Sequence, residues 1–163
     1  GHNPEIILSG RRINDNAARF YAECILEAAV KNDEIDLNNN KIVILGGTFK
    51  ENCPDFRNTK VVDLYSNLQQ MVRGEVVIFD PFIDPSIFKI HYPQIRFTNK
   101  LPATPDIAIL AVKHEVFLNE EMFDFLDNSK IIFDLKNYFP MKLMILFQAI
   151  YSRSIVFLVY GFQ

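Results

Sequence analysis

The sequence predicts an α/β fold in which a mainly parallel β-sheet carries helices on both faces and follows a long N-terminal helix. Four short runs rich in β-branched residues are apolar throughout, as expected of strands buried on both faces of a sheet. Segments with helical spacing alternate with these runs. Such alternation is typical of a parallel sheet.

The composition is that of one globular domain. With 163 residues, of which 49% are hydrophobic, the chain is long enough to bury a substantial core. Its formal net charge of −3 at pH 7 does not give the basic surface expected of a nucleic-acid-binding protein. Cys24 and Cys53 have neither metal-ligand spacing nor a disulfide framework, which favours a reducing cytoplasm.

The first predicted element is a helix from about Asn14, or earlier, to Val30. Its apolar residues recur at helical spacing, namely Ile13, Ala17, Phe20, Tyr21, Cys24, Ile25 and Ala28. The polar segment NDEIDLNNN then connects this helix to the first strand, Lys41–Leu45. Cys24 falls at an apolar position of the helix and is expected in the core.

The second predicted helix spans NTKVVDLYSNLQQMV, with Asn58 as its N-cap and Gly74 as its terminator. The second strand follows at Glu75–Phe79. A short helix or turn is expected in SIFKIHY and a short strand in IRFT.

The third strand is predicted at Ile107–Ala111, and the segment NEEMFDFLDN after it is predicted to be a helix. Its acidic first turn suits the positive end of the helix dipole. The fourth strand is predicted at Lys130–Phe133. The apolar tail, residues 141–163, is expected to be a buried segment or an aberrant C-terminus, because Arg153 would be costly in a membrane span.

Three cations lie at the predicted carboxyl ends of strands, where doubly wound sheets bind ligands. Lys50 and Arg57 follow the first strand and Lys136 follows the fourth. Converging cations suit a diphosphate, and Gly46 and Gly47 permit close backbone approach. The alternative is that Lys50 and Arg57 are solvated loop charges.

Other polar residues have structural interpretations. Asp55 is expected to form a salt bridge with Arg57 or to cap a turn. His114 and His2 have no partner at a characteristic spacing, so surface or loop roles are favoured. A nucleophilic Cys53 is disfavoured, because no histidine neighbours it in the sequence. No metal site or catalytic residue is predicted.

The stretch GTFKENCPDFRNTKVVDL, followed by VVIFDPFIDP, resembles the C-terminal UDP-sugar-binding domain of the UDP-glucose/GDP-mannose dehydrogenase family. It is most similar to bacterial UDP-N-acetylhexosamine 6-dehydrogenases, and HNPEIILSGRRINDN resembles the end of that family's central helical region. The resemblance covers residues 1–137 and implies a Rossmann-like fold. It divides the chain into a dimerisation region (residues 1–36), a UDP-sugar-binding domain (37–140) and an atypical apolar tail (141–163).

Residue roles follow from the resemblance. Phe49 and Lys50 match positions that contact the UDP-sugar, Lys136 matches a basic position near the nucleotide sugar, and Arg57 matches an arginine that reaches NAD. The implied function is the sugar-nucleotide-binding portion of an NAD-dependent cytoplasmic enzyme. Such an enzyme oxidises a UDP-N-acetylhexosamine to a uronic acid for bacterial surface polysaccharide. The implied partners are a UDP-sugar and a second copy bound through the N-terminal helix, with neither nucleic acid nor a membrane expected.

The chain departs from the family in two respects. It contains no G-x-G-x-x-G fingerprint for a dinucleotide, and it lacks the glycine-rich segment with the family's catalytic cysteine, for which Cys53 is no substitute. We therefore expect a fragment or a truncated product that binds the UDP-sugar without turning it over. The alternative is a non-catalytic α/β interaction or dimerisation module.

Overall fold

The computed structural model describes residues 4–33, 35–138 and 154–156, with side chains described for residues 17–33 and 35–138. The helices in these residues are α1 (Pro4–Val30), α2 (Val61–Met71), α3 (Pro85–His91) and α4 (Glu120–Asp127), with a short 3₁₀ helix at Glu115–Phe117. The strands are β1 (Lys41–Leu45), β2 (Glu75–Phe79), β3 (Phe97–Thr98), β4 (Ile107–Leu110), β5 (Ile131–Asp134) and β6 (Ser154–Val156).

The strands form one parallel sheet in the order β3-β2-β1-β4-β5-β6. The chain moves outward from β1 through β2 to β3, then returns to the other side of β1 and continues from β4 to β6. This order is that of a Rossmann-like fold. Folds of this kind bind ligands at the reversal between β1 and β4, beyond the carboxyl ends of the strands, and this place is called the crevice below.

Helices cover both faces of the sheet, as predicted. Ile42 and Ile44 of β1 lie in the larger core with α1, α2 and α3, whereas Val43 and Leu45 lie in the smaller core with α4. Because successive strand residues face opposite sides, β1 needs apolar residues at every position. This requirement explains why its sequence is an unbroken apolar run after Lys41.

The predicted strands agree closely with the observed ones. The first two match residue for residue, β4 ends one residue early at Leu110, and β5 is shifted forward by one residue. The predicted α4 is confirmed, and its N-cap is Asn119, whose side chain accepts the Met122 N–H.

Both predicted ends of α2 were wrong. The N-cap position belongs to Lys60, while Asn58 lies two residues earlier with a left-handed φ of 60°. The hydroxyl of Thr59 accepts the Val61 N–H at 3.3 Å, so an N-terminal amide is satisfied without Asn58. At the other end, the helix stops at Met71 and Val72 is already extended, so Gly74 does not terminate it.

Cys24 was also placed wrongly. It is half-buried on α1 and not part of the core. The pKa of its thiol is raised, first by burial and then by the nearby charges of Glu27 and Glu23. Phe20, another residue of the predicted apolar stripe, is 60% exposed.

The apolar tail contributes β6, a strand that sequence analysis did not predict. Ser154–Val156 pairs in parallel with Ile131–Phe133 of β5. Residues 139–153 and 157–163 of the tail, and His2, lie outside the described residues. Within the described part of the chain, none of the helices has the length and apolar character needed to cross a membrane.

Glycine is required at position 74 because the first residues of β1 and β2 approach each other closely there. It lies opposite Asn40, one residue before the paired positions Lys41 and Glu75, and the Glu75 N–H donates to the Asn40 carbonyl at 2.8 Å. A Cβ at Gly74 would fall on the side-chain and backbone oxygens of Asn40. The glycine is therefore a condition for pairing β1 with β2.

We predict that Gly74→Ala lowers the free energy of unfolding by about 1–3 kcal/mol, the usual cost of forcing atoms into filled space. Urea denaturation of both proteins measures this difference. Arg73→Ala is the control, because Arg73 is exposed beside the same turn. Equal loss in the two variants, or no loss in Gly74→Ala, would contradict this account of the strand pairing.

Candidate functional site

Residues 48–60, hereafter the β1 loop, begin beside the crevice of the sheet. Gly46 and Gly47 connect β1 to this loop, and the φ of Gly46 is +89°. A Cβ at Gly46 would lie 2.5 Å from the Cβ of Val112, so both the backbone angle and the space require glycine. The turn directs the loop across the ends of β2 and β4.

Asp80, the residue after β2, holds the start of this loop. Its carboxylate is completely buried. Oδ2 accepts the backbone N–H groups of Gly47 at 2.7 Å and Thr48 at 3.1 Å, and Oδ1 accepts that of Phe82 at 2.9 Å. These backbone donors compensate the carboxylate for its lost water.

His114, after β4, completes the buried cluster. Its Nε2 lies 2.9 Å from Asp80 Oδ2 and 3.2 Å from the Thr48 hydroxyl, and its Nδ1 accepts the Asn52 N–H at 2.8 Å. Nδ1 therefore carries the lone pair, and the hydrogen-bond pattern assigns the ring proton to Nε2. The histidine joins the ends of β1, β2 and β4.

The predicted role of His114 was wrong in one respect. The residue does lie in a loop, but its side chain is fully buried and not at the surface. Its partners Asp80, Asn52 and Thr48 are 34, 62 and 66 residues away. Local spacing carries no sign of such contacts. The available signal was that Asp80 directly follows one apolar strand and His114 comes shortly after another, and that both strands end at the same edge of a parallel sheet.

Further bonds shape the β1 loop itself. The Phe49 N–H donates to the Asp55 carbonyl at 2.7 Å, and the Thr48 hydroxyl donates to the Lys50 carbonyl at 2.8 Å. The backbone is thus ordered on both sides of two side chains that face solvent. Phe49 is 57% exposed and Lys50 is exposed as well.

Lys136 occupies a different environment from Lys50. It follows β5 and is half-buried, and burial lowers the pKa of its ammonium group. The charge of Glu51 raises the Lys136 pKa and that of Lys113 lowers it further. Charged residues that follow β1, β4 and β5 therefore lie close enough to interact. Sequence analysis passed over Lys113, an exposed cation at the end of β4.

Arg57 lies near the far end of the β1 loop and is paired with Asp55. Its Nε and Nη2 donate to the two carboxylate oxygens at 2.9 and 2.8 Å, and its backbone N–H donates to Oδ1 at 3.0 Å. Asp55 thus forms the salt bridge and also caps a turn. The Arg57 side chain remains 77% exposed and borders a pocket of about 280 Å³ that also contacts Ile87 and His91.

Comparison with known proteins bears on this loop. Residues 43–141 match the model of the UDP-glucose/GDP-mannose dehydrogenase family, UDP binding domain. The chain is 36% identical over 143 residues to the UDP-N-acetyl-D-glucosamine 6-dehydrogenase of Salmonella typhi, covering 86% of this chain and 33% of that protein. Protein CapL of Staphylococcus aureus is 33% identical, with 83% and 32% covered. The chain thus spans about a third of the length of these relatives.

Solved structures support the fold. The UDP-N-acetyl-mannosamine dehydrogenase Cap5O from Staphylococcus aureus superimposes with a TM-score of 0.63 at 20% identity, covering 97% of this chain and 33% of Cap5O. The UDP-D-ManNAc dehydrogenase from Pyrococcus horikoshii gives a TM-score of 0.57 at 19% identity, covering 75% of this chain and 28% of that protein.

We predict that the Asp55 carboxyl stays ionised well below the ordinary aspartate pKa of 3.8. Hydrogen bonds from the Arg57 side chain and backbone lower its pKa to about 2. The ion pair should therefore be intact above pH 4 and lost only as the pH falls through about 2. Carboxyl chemical shifts followed by NMR measure this directly.

The same titration has a matched pair of variants. Arg57→Gln should move the Asp55 pKa back towards 3.8, whereas Lys60→Gln should leave it unchanged, because Lys60 pairs with Asp63 instead. A native Asp55 that titrates near 3.8 would mean that the forked pair does not persist in solution.

Proposed function

The chain belongs to the UDP-glucose/GDP-mannose dehydrogenase family, and from this premise we propose that it binds the sugar nucleotide in an NAD-dependent UDP-N-acetylhexosamine 6-dehydrogenase. In this proposal it is the C-terminal portion of the enzyme, and the pathway is bacterial surface polysaccharide synthesis. Residues 37–140 bind the UDP-sugar and residues 1–36 belong to a dimerisation region. The single observation that carries the proposal is the anchored β1 loop, which exposes Phe49 and Lys50 beside the crevice of the sheet.

The charges around the crevice suit a diphosphate. Lys50, Lys113 and Lys136 follow β1, β4 and β5, whose carboxyl ends share one edge. Burial lowers the pKa of the Lys136 ammonium group, and an anion placed beside it would favour the charged form. Phe49 offers an apolar face to a base or sugar ring.

Arg57 fits a role towards NAD. Asp55 engages its Nε and one Nη2 hydrogen, which leaves the Nη1 hydrogens and the second Nη2 hydrogen for a phosphate. When bound, NAD would accept the hydride from C6 of the sugar. Arg57 would contribute by orienting a cofactor phosphate while Asp55 holds the guanidinium in place.

A homodimer through α1 is part of the proposal. This helix packs on α2 through one side, while Phe20 and Val30 are 60% and 64% exposed. The competing function is a non-catalytic interaction module, which would dimerise without binding UDP. A cytoplasmic location is proposed from the two free cysteines and from the nucleotide substrate.

We predict that the purified chain binds UDP-N-acetylglucosamine saturably by isothermal titration calorimetry, and that Lys50→Ala weakens this binding about 10- to 150-fold. A charge-assisted hydrogen bond of this kind contributes about 1.5–3 kcal/mol. Lys31→Ala is the control, because Lys31 is exposed at the end of α1, before the amino end of β1. Absence of saturable binding by the native chain would favour the interaction module. Equal affinities of the two variants would make Lys50 a solvated loop charge.

The dimer is tested separately by sedimentation equilibrium. We predict that Phe20→Ala raises the dimer dissociation constant about tenfold or more, because exposed aromatic side chains are frequent anchors of interfaces. Lys100→Ala serves as the control here, because Lys100 is exposed after β3 and lies outside residues 1–36. A native chain that sediments as a monomer would remove α1 as the pairing element and leave the sugar-nucleotide proposal intact.

A further inference from the structure

The backbone on either side of Phe49 and Lys50 is tied to the same buried histidine. On one side, the Thr48 hydroxyl donates to the Lys50 carbonyl and lies 3.2 Å from His114 Nε2. On the other side, the Asn52 N–H donates to His114 Nδ1 at 2.8 Å. The two exposed side chains are therefore carried between two points fixed by one imidazole.

The chemistry of an imidazole suits this position. The Thr48 hydroxyl has already donated its proton to the Lys50 carbonyl, so it accepts towards His114, and the Asn52 amide can only donate. The cluster needs a donor and an acceptor on opposite edges of one rigid group. Asp80 Oδ2, at 2.9 Å from Nε2, fixes the tautomer that supplies both.

Asn52 receives a second tie from the residue after His114. Its Oδ1 accepts the Glu115 N–H at 2.9 Å, and its φ is 55°. Asparagine is one of the few residues other than glycine that adopt this left-handed conformation readily. The turn of the β1 loop is thus fixed to the end of β4 through both the backbone and the side chain of one residue.

We propose that His114 is a positioning residue for the sugar-nucleotide site, holding the β1 loop so that Phe49 and Lys50 meet the diphosphate in one orientation. This inference rests on the proposed function of that site. His114 is fully buried, so a ligand at the surface of the β1 loop would not touch it. It acts through Thr48 and Asn52, and its effect is to order the loop before the ligand arrives.

The competing explanation is that His114 only fills the core. Its ring packs between Phe82 and Phe117, with centroids 4.9 and 5.2 Å away. Two amide variants separate the alternatives. In His114→Asn the side-chain oxygen takes the place of Nδ1 and keeps the acceptor for Asn52, while the donor that faces Asp80 and Thr48 is lost. In His114→Gln the side-chain nitrogen takes the place of Nε2 and keeps that donor, while the acceptor for Asn52 is lost.

The experiment measures UDP affinity by calorimetry and stability by urea unfolding for both variants of the 163-residue chain. We expect both variants to bind UDP about five- to tenfold more weakly than the native chain, since each loses one of the two ties and the contribution of one hydrogen bond is of that order. A purely structural role predicts that affinity follows stability. Native affinity in either variant, or affinities that track the unfolding midpoints alone, would overturn the proposal.

Asn52 provides an independent comparison. Asn52→Gly removes the bond to Glu115 and keeps the left-handed backbone accessible, while Asn58→Gly makes the same change at φ 60° elsewhere in the β1 loop. We expect weaker UDP binding only for Asn52→Gly. Equal binding by the two variants would contradict a role in UDP binding for the hydrogen bond between Asn52 and Glu115.

A measurement on the native chain keeps the test decisive if the variants fail to fold. NMR should show a scalar coupling between the Asn52 amide nitrogen and His114 Nδ1, together with slow exchange of that amide proton. Absence of both would overturn the positioning role. If the native chain shows this coupling but does not bind UDP, the proposed function fails while the anchoring of the loop stands.

Discussion

The buried carboxylate of Asp80 is the interaction on which the functional end of the molecule depends. An unsolvated carboxylate is tolerated only when donors replace its water, and here backbone N–H groups of Gly47, Thr48 and Phe82 do so together with His114. Each donor comes from a chain segment that leaves the carboxyl end of a strand. Satisfying one charge therefore fixes the directions of three loops.

The order of strands makes this arrangement possible. β1 lies between β2 and β4, so the β1 loop can be anchored to residues that follow either neighbour. Asp80 supplies the anchor from β2, and His114 and Glu115 supply it from β4. The crevice of a doubly wound sheet lies at this reversal. The geometry that creates a binding cleft also supplies the contacts that order its principal loop.

The fold could be predicted from sequence because its cause is local. Strands buried on both faces need continuous apolar runs, and β1 and β2 were predicted residue for residue on that basis. The burial of His114 could not be predicted, because its partners become neighbours only when β1, β2 and β4 are adjacent.

The errors at Asn58 and Gly74 have a related cause. The hydroxyl of Thr59 replaces the expected cap, and Gly74 serves contact with Asn40 across the sheet. Of the candidate site, the sequence predicted the position of Lys50 in the loop after β1, and it offered the pairing of Asp55 with Arg57 as one of two interpretations, whereas the anchoring behind them was not predicted.

The β1 loop thus combines a buried root with exposed charges at its surface. The bidentate pair of Arg57 with Asp55 is solvent-exposed, and pairs of this kind contribute little to stability because water and salt screen them. Its consequence is geometric: the guanidinium is oriented while several of its donors still face outward. The part-buried contacts of Thr48 and Asn52 have the complementary effect, since they order backbone without using any exposed charge. In such a loop, the conformational entropy of the backbone is lost when the protein folds and not when a ligand binds. In the proposed function, its cations would then meet an anionic ligand with little further loss of backbone freedom.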